Sequence, residues 1–156
     1  MGCNPVLEIR QIKSGKKDYL DILLLADEQE SMIDRYLDRG DMFVAEVDGA
    51  AVAVCVVALE CEGVAELKNL AVLPEFRNKG YGRMMVDFVA AHYAGCCHAL
   101  VVGTGDSPAT VPFYERCGFS YSHRVPGFFT DNYDHPIIDG GVLLTDMLYF
   151  RKPLRR

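Results

Sequence analysis

Seven consecutive residues, Arg77-Asn78-Lys79-Gly80-Tyr81-Gly82-Arg83, combine three cations with two glycines. Glycine lets the backbone come close to a ligand. The segment follows the apolar run Leu70-Ala71-Val72-Leu73-Pro74 and precedes Met85, Phe88, Val89 and His92, which have helical spacing. A turn between a strand and a helix leaves the first helical N–H groups without intrahelical partners, and the helix dipole adds about half a positive charge there. Such a turn is a phosphate cradle. Arg77, Lys79 and Arg83 would surround it with mobile cations. Two other phosphate motifs are excluded. The Walker pattern needs Gly-Lys-Ser/Thr after four spacers, and the chain has none. Gly103-Thr104-Gly105 begins like a dinucleotide fingerprint but reaches Pro108 where the third glycine belongs.

The elements that must hold this turn are readable from period and punctuation. Leu7, Ile9 and Ile12 mark a first strand. Tyr19, Ile22, Leu23 and Leu25 share a helical face. Asp27 with Glu30 has the form of a second helix start, and Met32, Ile33, Tyr36 and Leu37 continue its stripe until Gly40. Met42 to Val47, the turn Asp48-Gly49, and Ala50 to Leu59 predict a hairpin. Val64 to Val72 is a strand carrying Glu66, Lys68 and Asn69. After the cradle and its helix come a strand at Ala99 to Val102, a helix at Pro108 to Cys117 capped by Gly118, and a strand at Phe119 to Val125. Residues 128–141 read as a long polar, aromatic loop, and Val142 to Phe150 as a final strand with an exposed edge. The expected fold is therefore α/β (α+β). A mixed, mostly antiparallel sheet of about seven strands is flanked by about four helices, with a parallel central pair near residues 64–72 and 99–103.

The chain has 156 residues, half of them hydrophobic and 24% charged, which fits one globular domain over 1–156 and excludes disorder as the main state. Apolar runs such as Ala50 to Leu59 fall far short of the ~20 residues a spanning helix needs. The net charge of −6 argues against nucleic acid or an anionic membrane as partner. Residues 63–96, with 4 basic and 3 acidic side chains, are the only stretch that leans basic, so an anionic ligand belongs there. Cys3, Cys55, Cys61, Cys96, Cys97 and Cys117 show no framework spacing, no CxxC pair and no ligand spacing with histidine. No metal is expected, the thiols are read as free, and with no signal peptide apparent the compartment is read as cytoplasmic. Cys96-Cys97 reads as a helix-end feature rather than a disulfide.

The cradle, the preceding Leu70 to Glu75, the segment Phe113-Tyr114-Glu115-Arg116-Cys117-Gly118-Phe119 and the element order together resemble the GCN5-related N-acetyltransferase superfamily, over about residues 5–153. That resemblance implies acetyl-CoA as co-substrate, without a metal. The central parallel pair would splay. Leu70, Ala71 and Val72 would bond the pantetheine arm, and Arg77 to Arg83 would hold the pyrophosphate. Tyr114 matches the tyrosine that protonates the departing thiolate, and Glu66 falls where several members place a general base. Ser107 stands where many members carry a cofactor-contacting asparagine. The resemblance also implies that the region between the last two strands, with Phe129, Asn132, Tyr133 and His135, walls the acceptor. The same residues also fit a core tyrosine at 114, an ordinary strand carboxylate at 66 and a well-packed connection at 128–141. A small-molecule amine is the expected acceptor, and the resemblance implies a homodimer in which the exposed edge of the final strand could pair. The alternatives are a non-catalytic CoA-binding or sensing module and transfer to a protein or peptide amine.

Overall fold

The strand at Val64–Val72 alternates buried with half-buried positions, and the strand at Ala50–Cys61 is a continuous buried apolar run through its middle. The hairpin turn between Val47 and Ala50 is aspartate and glycine. The computed structural model describes residues 7–155. Cys3 and the start of the expected core at residue 5 lie outside them. Strands β1 (Leu7–Ile12), β2 (Asp41–Val47) and β3 (Ala50–Cys61) form an antiparallel meander, with Leu7 opposite Val47 and Asp41 opposite Val57. Asp48 and Gly49 adopt φ of 51° and 84°, the left-handed pair that a two-residue hairpin turn demands. β4 (Val64–Val72) pairs in parallel with β5 (Ala99–Gly105) from Val64↔Ala99 to Leu67↔Val102. That ladder runs no further, although β4 continues to Val72 and β5 to Gly105. With β6 (Ser120–Val125), the short strands β7 (Ile138–Asp139) and β8 (Val142–Leu143), and β9 (Met147–Pro153), the sheet order is β1-β2-β3-β4-β5-β9-β6. The expected class holds: among the described residues the main sheet has seven strands, mostly antiparallel with a parallel pair, and there are five α-helices where about four were expected.

The residues cluster into two compact units. One comprises the chain up to Ala58 together with Lys68–Val89. Its core packs Ile12, Leu23, Ile33, Tyr36, Leu37, Met42, Val44, Val54, Val56 and Ala71. Helix α1 (Leu20–Ala26) contributes Leu23, and α2 (Glu30–Ile33) contributes Ile33. Here the structure departs from the sequence pattern. Asp27 is extended at the C-terminus of α1 instead of capping α2, and Gln29 precedes α2 with no side-chain cap. The Asp27 carboxylate accepts the Tyr36 hydroxyl at 2.9 Å instead. Tyr36 and Leu37 lie beyond α2 in turns that Lys16 Nζ ties down by donating to the Leu37 and Gly40 carbonyls, at 2.8 and 2.6 Å.

The other unit comprises Leu59–Leu67 and the chain from Ala90 onward. It holds β5, β9, β6 and α4 (Val111–Arg116). Residues 128–141 are not a plain loop. Phe128–Asn132 is helix α5, and β7 and β8 form a hairpin with Ile138 opposite Leu143. Phe129, Ile137 and Leu144 make a small core of their own, backed by Phe128, Tyr133 and Met147. The final strand is likewise shorter and later than Val142 to Phe150. It begins at Met147 and runs between β5 and β6, so the edge of the sheet falls to β6 and not to the last strand. Among the described residues no helix is long and apolar enough to cross a membrane, and no group of three or more His, Cys, Asp or Glu could hold a metal.

Candidate active site

In the first unit, the end of β4 leads into the cradle. Leu73 N–H bonds the Val52 carbonyl at 2.9 Å, which fixes the exit of the strand. Ala71 is buried in the core, while Leu70 and Val72 are half-buried. A 3₁₀ turn at Pro74–Phe76 follows, closed by Phe76 N–H to Leu73 O at 2.9 Å. Arg77 folds back, its Nε donating to the Val72 carbonyl at 3.1 Å. The backbone then turns through two left-handed residues, Asn78 at φ 61° and Gly80 at φ 89°. Helix α3 (Tyr81–Tyr93) starts immediately after, with its first bond from Met84 N–H to Gly80 O at 3.0 Å. The N–H groups of Tyr81, Gly82 and Arg83 stand in its first turn, where none can reach an intrahelical acceptor. Nothing lies within 4 Å of where a Cβ at Gly80 would stand. Lys79 Nζ sits 5.7 Å from the Phe76 ring centre, and Phe76 meets Tyr81 edge-on at 6.0 Å. Arg83 pairs with Asp87 at 4.0 Å, and this ion pair is exposed on both sides and adds little. The turn is exposed and cationic, with open space beside Gly80, at a helix start.

Also in this unit, Asn69 is 3% exposed and donates its amide to the Leu23 carbonyl and the Tyr36 hydroxyl, both at 3.1 Å. Burial and the Asp27 carboxylate push the Tyr36 hydroxyl well above its usual range. This tyrosine therefore stays protonated and links α1 to β4.

In the second unit, Glu66 stands half-buried on β4 opposite Val101. Two residues along β5, Gly103 faces Tyr149 of β9, and Tyr149 in turn faces His123 of β6. The His123 and Tyr149 rings are parallel within 5° at 4.7 Å. Burial, then Glu66, then Glu60 push the Tyr149 hydroxyl above its usual range. The sequence pattern raises Gly103 only within the excluded dinucleotide fingerprint and assigns no role to Tyr149 or His123. No local motif marks them, because only strand register brings them together.

Tyr114 lies in α4, 8% exposed, edge-on to Phe113 at 5.1 Å and to Phe119 at 5.6 Å. Its carbonyl receives the Cys117 and Phe119 N–H groups, so the turn after α4 is locked around it. Lys152 Nζ donates to the Cys117 carbonyl at 2.8 Å, satisfying the negative end of this short helix. Ser107 is 1% exposed and its hydroxyl is engaged locally. It accepts from Ala109 N–H at 3.0 Å and donates to the Asp139 carbonyl at 3.4 Å.

Of the acceptor-side residues named from the sequence, Phe129 and Tyr133 stack at 5.5 Å, with Phe129 buried and Tyr133 half-buried. Asn132 uses its amide to bond the Phe128 carbonyl at 2.8 Å. His135 is exposed and pairs with Asp134 at 2.5 Å. The entrance to this region is anchored by Asp146, which accepts Gly127 N–H and Arg124, both at 2.9 Å.

A mixed sheet with a short parallel ladder, and a cationic glycine turn where the parallel strand meets its helix, define an α/β protein. The comparisons with known proteins narrow this. The model of the acetyltransferase (GNAT) domain matches residues 38–121. The N-acetyltransferase YvbK of Bacillus subtilis, itself named as uncharacterized, is 30% identical over 91% of this chain and 93% of its own length. A GNAT family acetyltransferase from Elizabethkingia anophelis, solved with acetyl-CoA bound, superposes with a TM-score of 0.88 at 31% identity, covering 95% of this chain and 98% of that one. A Bacillus subtilis acetyltransferase solved in complex with CoA gives 0.86 at 28% identity, covering 96% and 99%. The chain belongs to the GNAT superfamily of acetyltransferases.

Proposed function

We propose that this protein transfers the acetyl group of acetyl-CoA to a primary amine of a small, cationic molecule. The observation that carries the reading is the cradle. Left-handed Asn78 and Gly80 open α3 with three first-turn N–H groups, among Arg77, Lys79 and Arg83. These residues fit a pyrophosphate: the turn is exposed, positively charged and supplies backbone donors. The acetyl-CoA bound in the similar E. anophelis enzyme supports the same ligand here. Leu70, Ala71 and Val72, beyond the end of the β4–β5 ladder, are the backbone we assign to the pantetheine arm.

An alkyl amine with a pKa near 10.4 is mostly protonated at neutral pH and cannot attack. Glu66 takes its proton, directly or through water. The nitrogen then forms the new C–N bond as the thioester C–S bond breaks, and Tyr114 gives its proton to the departing sulfur. The thioester supplies the activated acyl group, so no cysteine forms a covalent intermediate. Glu66, Glu60 and the Tyr149 ring favour an acceptor carrying positive charge. Phe129, Asn132, Tyr133 and His135 are the proposed remainder of the acceptor wall, and Ser107 supports the cofactor side through its turn. The whole chain is read as a single acetyltransferase domain acting in the cytoplasm, supported by the free cysteines at 55, 61, 96, 97 and 117. The reading includes a homodimer, with β6 as the sheet edge available for pairing.

The test is calorimetric titration with acetyl-CoA and CoA, followed by thiol release across a panel of diamines, aminoglycosides, amino acids and basic peptides. Binding with release on one small-amine class supports the proposal. Release only on peptides moves the acceptor to protein. Binding without release on any amine leaves a CoA-binding module, and no binding removes the cradle.

A further inference from the structure

Cys96 and Cys97 follow α3 in a turn that fixes both sulfurs. One carbonyl, that of Tyr93, accepts Cys96 N–H at 3.1 Å, Cys97 N–H at 2.8 Å and the Cys96 thiol at 3.7 Å. The result is an Sγ–Sγ distance of 3.7 Å between adjacent residues. Cys96 is exposed, whereas Cys97 is 7% exposed. The neighbouring His98 is engaged elsewhere. Its ring packs on Gly63, and its Nδ1 meets Arg151 at 3.3 Å.

The separation has a chemical meaning. Two bonds of about 2.3 Å from one pyramidal trivalent centre, diverging at a little more than a right angle, span about 3.4 Å. The sulfurs, already in contact at 3.7 Å, need to close by only a few tenths of an ångström to reach the bite of a chelate. A divalent metal would still need further protein ligands, and among the described residues no third Cys, His, Asp or Glu joins the group. The donor set fits a centre that needs two sulfurs and brings its own third substituent.

We propose that Cys96 and Cys97 form a chelating dithiol site for a monosubstituted trivalent arsenical. The step is a condensation without redox change. In R–As=O the arsenic–oxygen bond breaks, two As–S bonds form, and the two thiol protons leave with the oxygen as one water. Arsenic stays trivalent. Burial and the Cys96 thiol raise the pKa of Cys97, which favours the protonated thiol at that position. The exposed Cys96 sulfur is the entry point. The second bond then closes intramolecularly, which typically strengthens binding by about 10²–10⁴-fold.

The experiment uses the reduced, CoA-free protein carrying Cys3→Ser and Cys61→Ser, titrated with phenylarsine oxide. Intact mass and free-thiol counting are the readouts. One arsenical per chain is expected, with loss of one water and of two free thiols. The adduct should be reversed by 2,3-dimercaptopropanol and resist millimolar glutathione. Cys96→Ser, at an exposed position, should weaken binding at least about 100-fold. Cys97→Ser should do the same, and its thermal melt checks that it folds. No adduct, an adduct that survives Cys96→Ser, or one that glutathione strips as readily as the dithiol does would overturn the proposal.

Discussion

Tyr149 lies over Gly103. A Cβ added at Gly103 would stand 3.0 Å from Tyr149 Cε1, 3.1 Å from its Cζ and 3.0 Å from Met147 Sδ. The missing methyl is what lets the ring lean across β5 while His123 stacks on it from β6. Gly103→Ala should push the ring by a few tenths of an ångström. Tyr149→Leu should remove the aromatic face entirely. If this face orders the acceptor, both variants raise KM for the amine several-fold and leave KM for acetyl-CoA unchanged, with Tyr149→Phe close to wild type. Steady-state kinetics in both substrates decides the point. A rise confined to acetyl-CoA would remove Tyr149 from the acceptor side.

The cradle makes a separate demand on the backbone. Gly80 at φ 89° is strained for any residue with a Cβ, at about 1–2 kcal/mol. For a chain of this size that lowers Tm by about 2–8 °C. Gly80→Ala should show that loss and also weaken CoA binding at least tenfold, because the N–H groups at the start of α3 shift. Asn78→Gly, at φ 61°, should keep both stability and CoA affinity, since glycine is at ease there. Calorimetric titration of the two variants separates backbone geometry from side-chain chemistry. Equal affinity in both would mean the turn does not hold the pyrophosphate.

The two carboxyl and phenol roles separate by pH. Glu66→Gln removes the proposed base, so turnover should fall about 10²–10⁴-fold near neutrality. The deficit should shrink as pH rises toward the amine's own pKa of about 10.4, where free amine no longer needs a base. Tyr114→Phe should lower kcat by at least tenfold and leave CoA affinity intact. Its deficit should not recover as the amine deprotonates. Parallel pH–rate profiles for wild type and Glu66→Gln would reassign the base.

What could be read from the sequence was what is local. The cradle declared itself because its glycines and cations are contiguous, the hairpin because Asp48-Gly49 needs only its own dihedrals, and Tyr114 because its segment is short and unbroken. Assembly by distant residues stayed hidden. Helix α5 and the β7–β8 hairpin depend on Phe129, Ile137 and Leu144 finding one another across 15 residues, while the segment itself has no strong period. Asp27 looked like a helix cap because its spacing to Glu30 fits one, yet the Tyr36 hydroxyl claims it and the chain turns the other way. The Glu66, Gly103, Tyr149 and His123 face exists only because β9 enters between β5 and β6, and no residue of β9 announces that order.

Asp146 sets a pH dependence of stability that can be signed in advance. Its carboxyl is held below the ordinary aspartate value, first by Gly127 N–H and then by Arg124. Folding therefore favours the ionised form. The stabilisation is complete above the unfolded-state pKa of about 3.9 and is lost as pH falls through the lower folded-state value. Asp146→Ala should melt below wild type at pH ~7, and the gap should close as the pH is taken below ~3. Asp146→Asn keeps an acceptor for Gly127 N–H but carries no charge, so its melting curve should lose this acid-range dependence. Thermal melts of the three proteins across that range measure it. A gap between wild type and Asp146→Ala that stays constant with pH would mean the carboxylate charge does not anchor the entrance to the α5 segment.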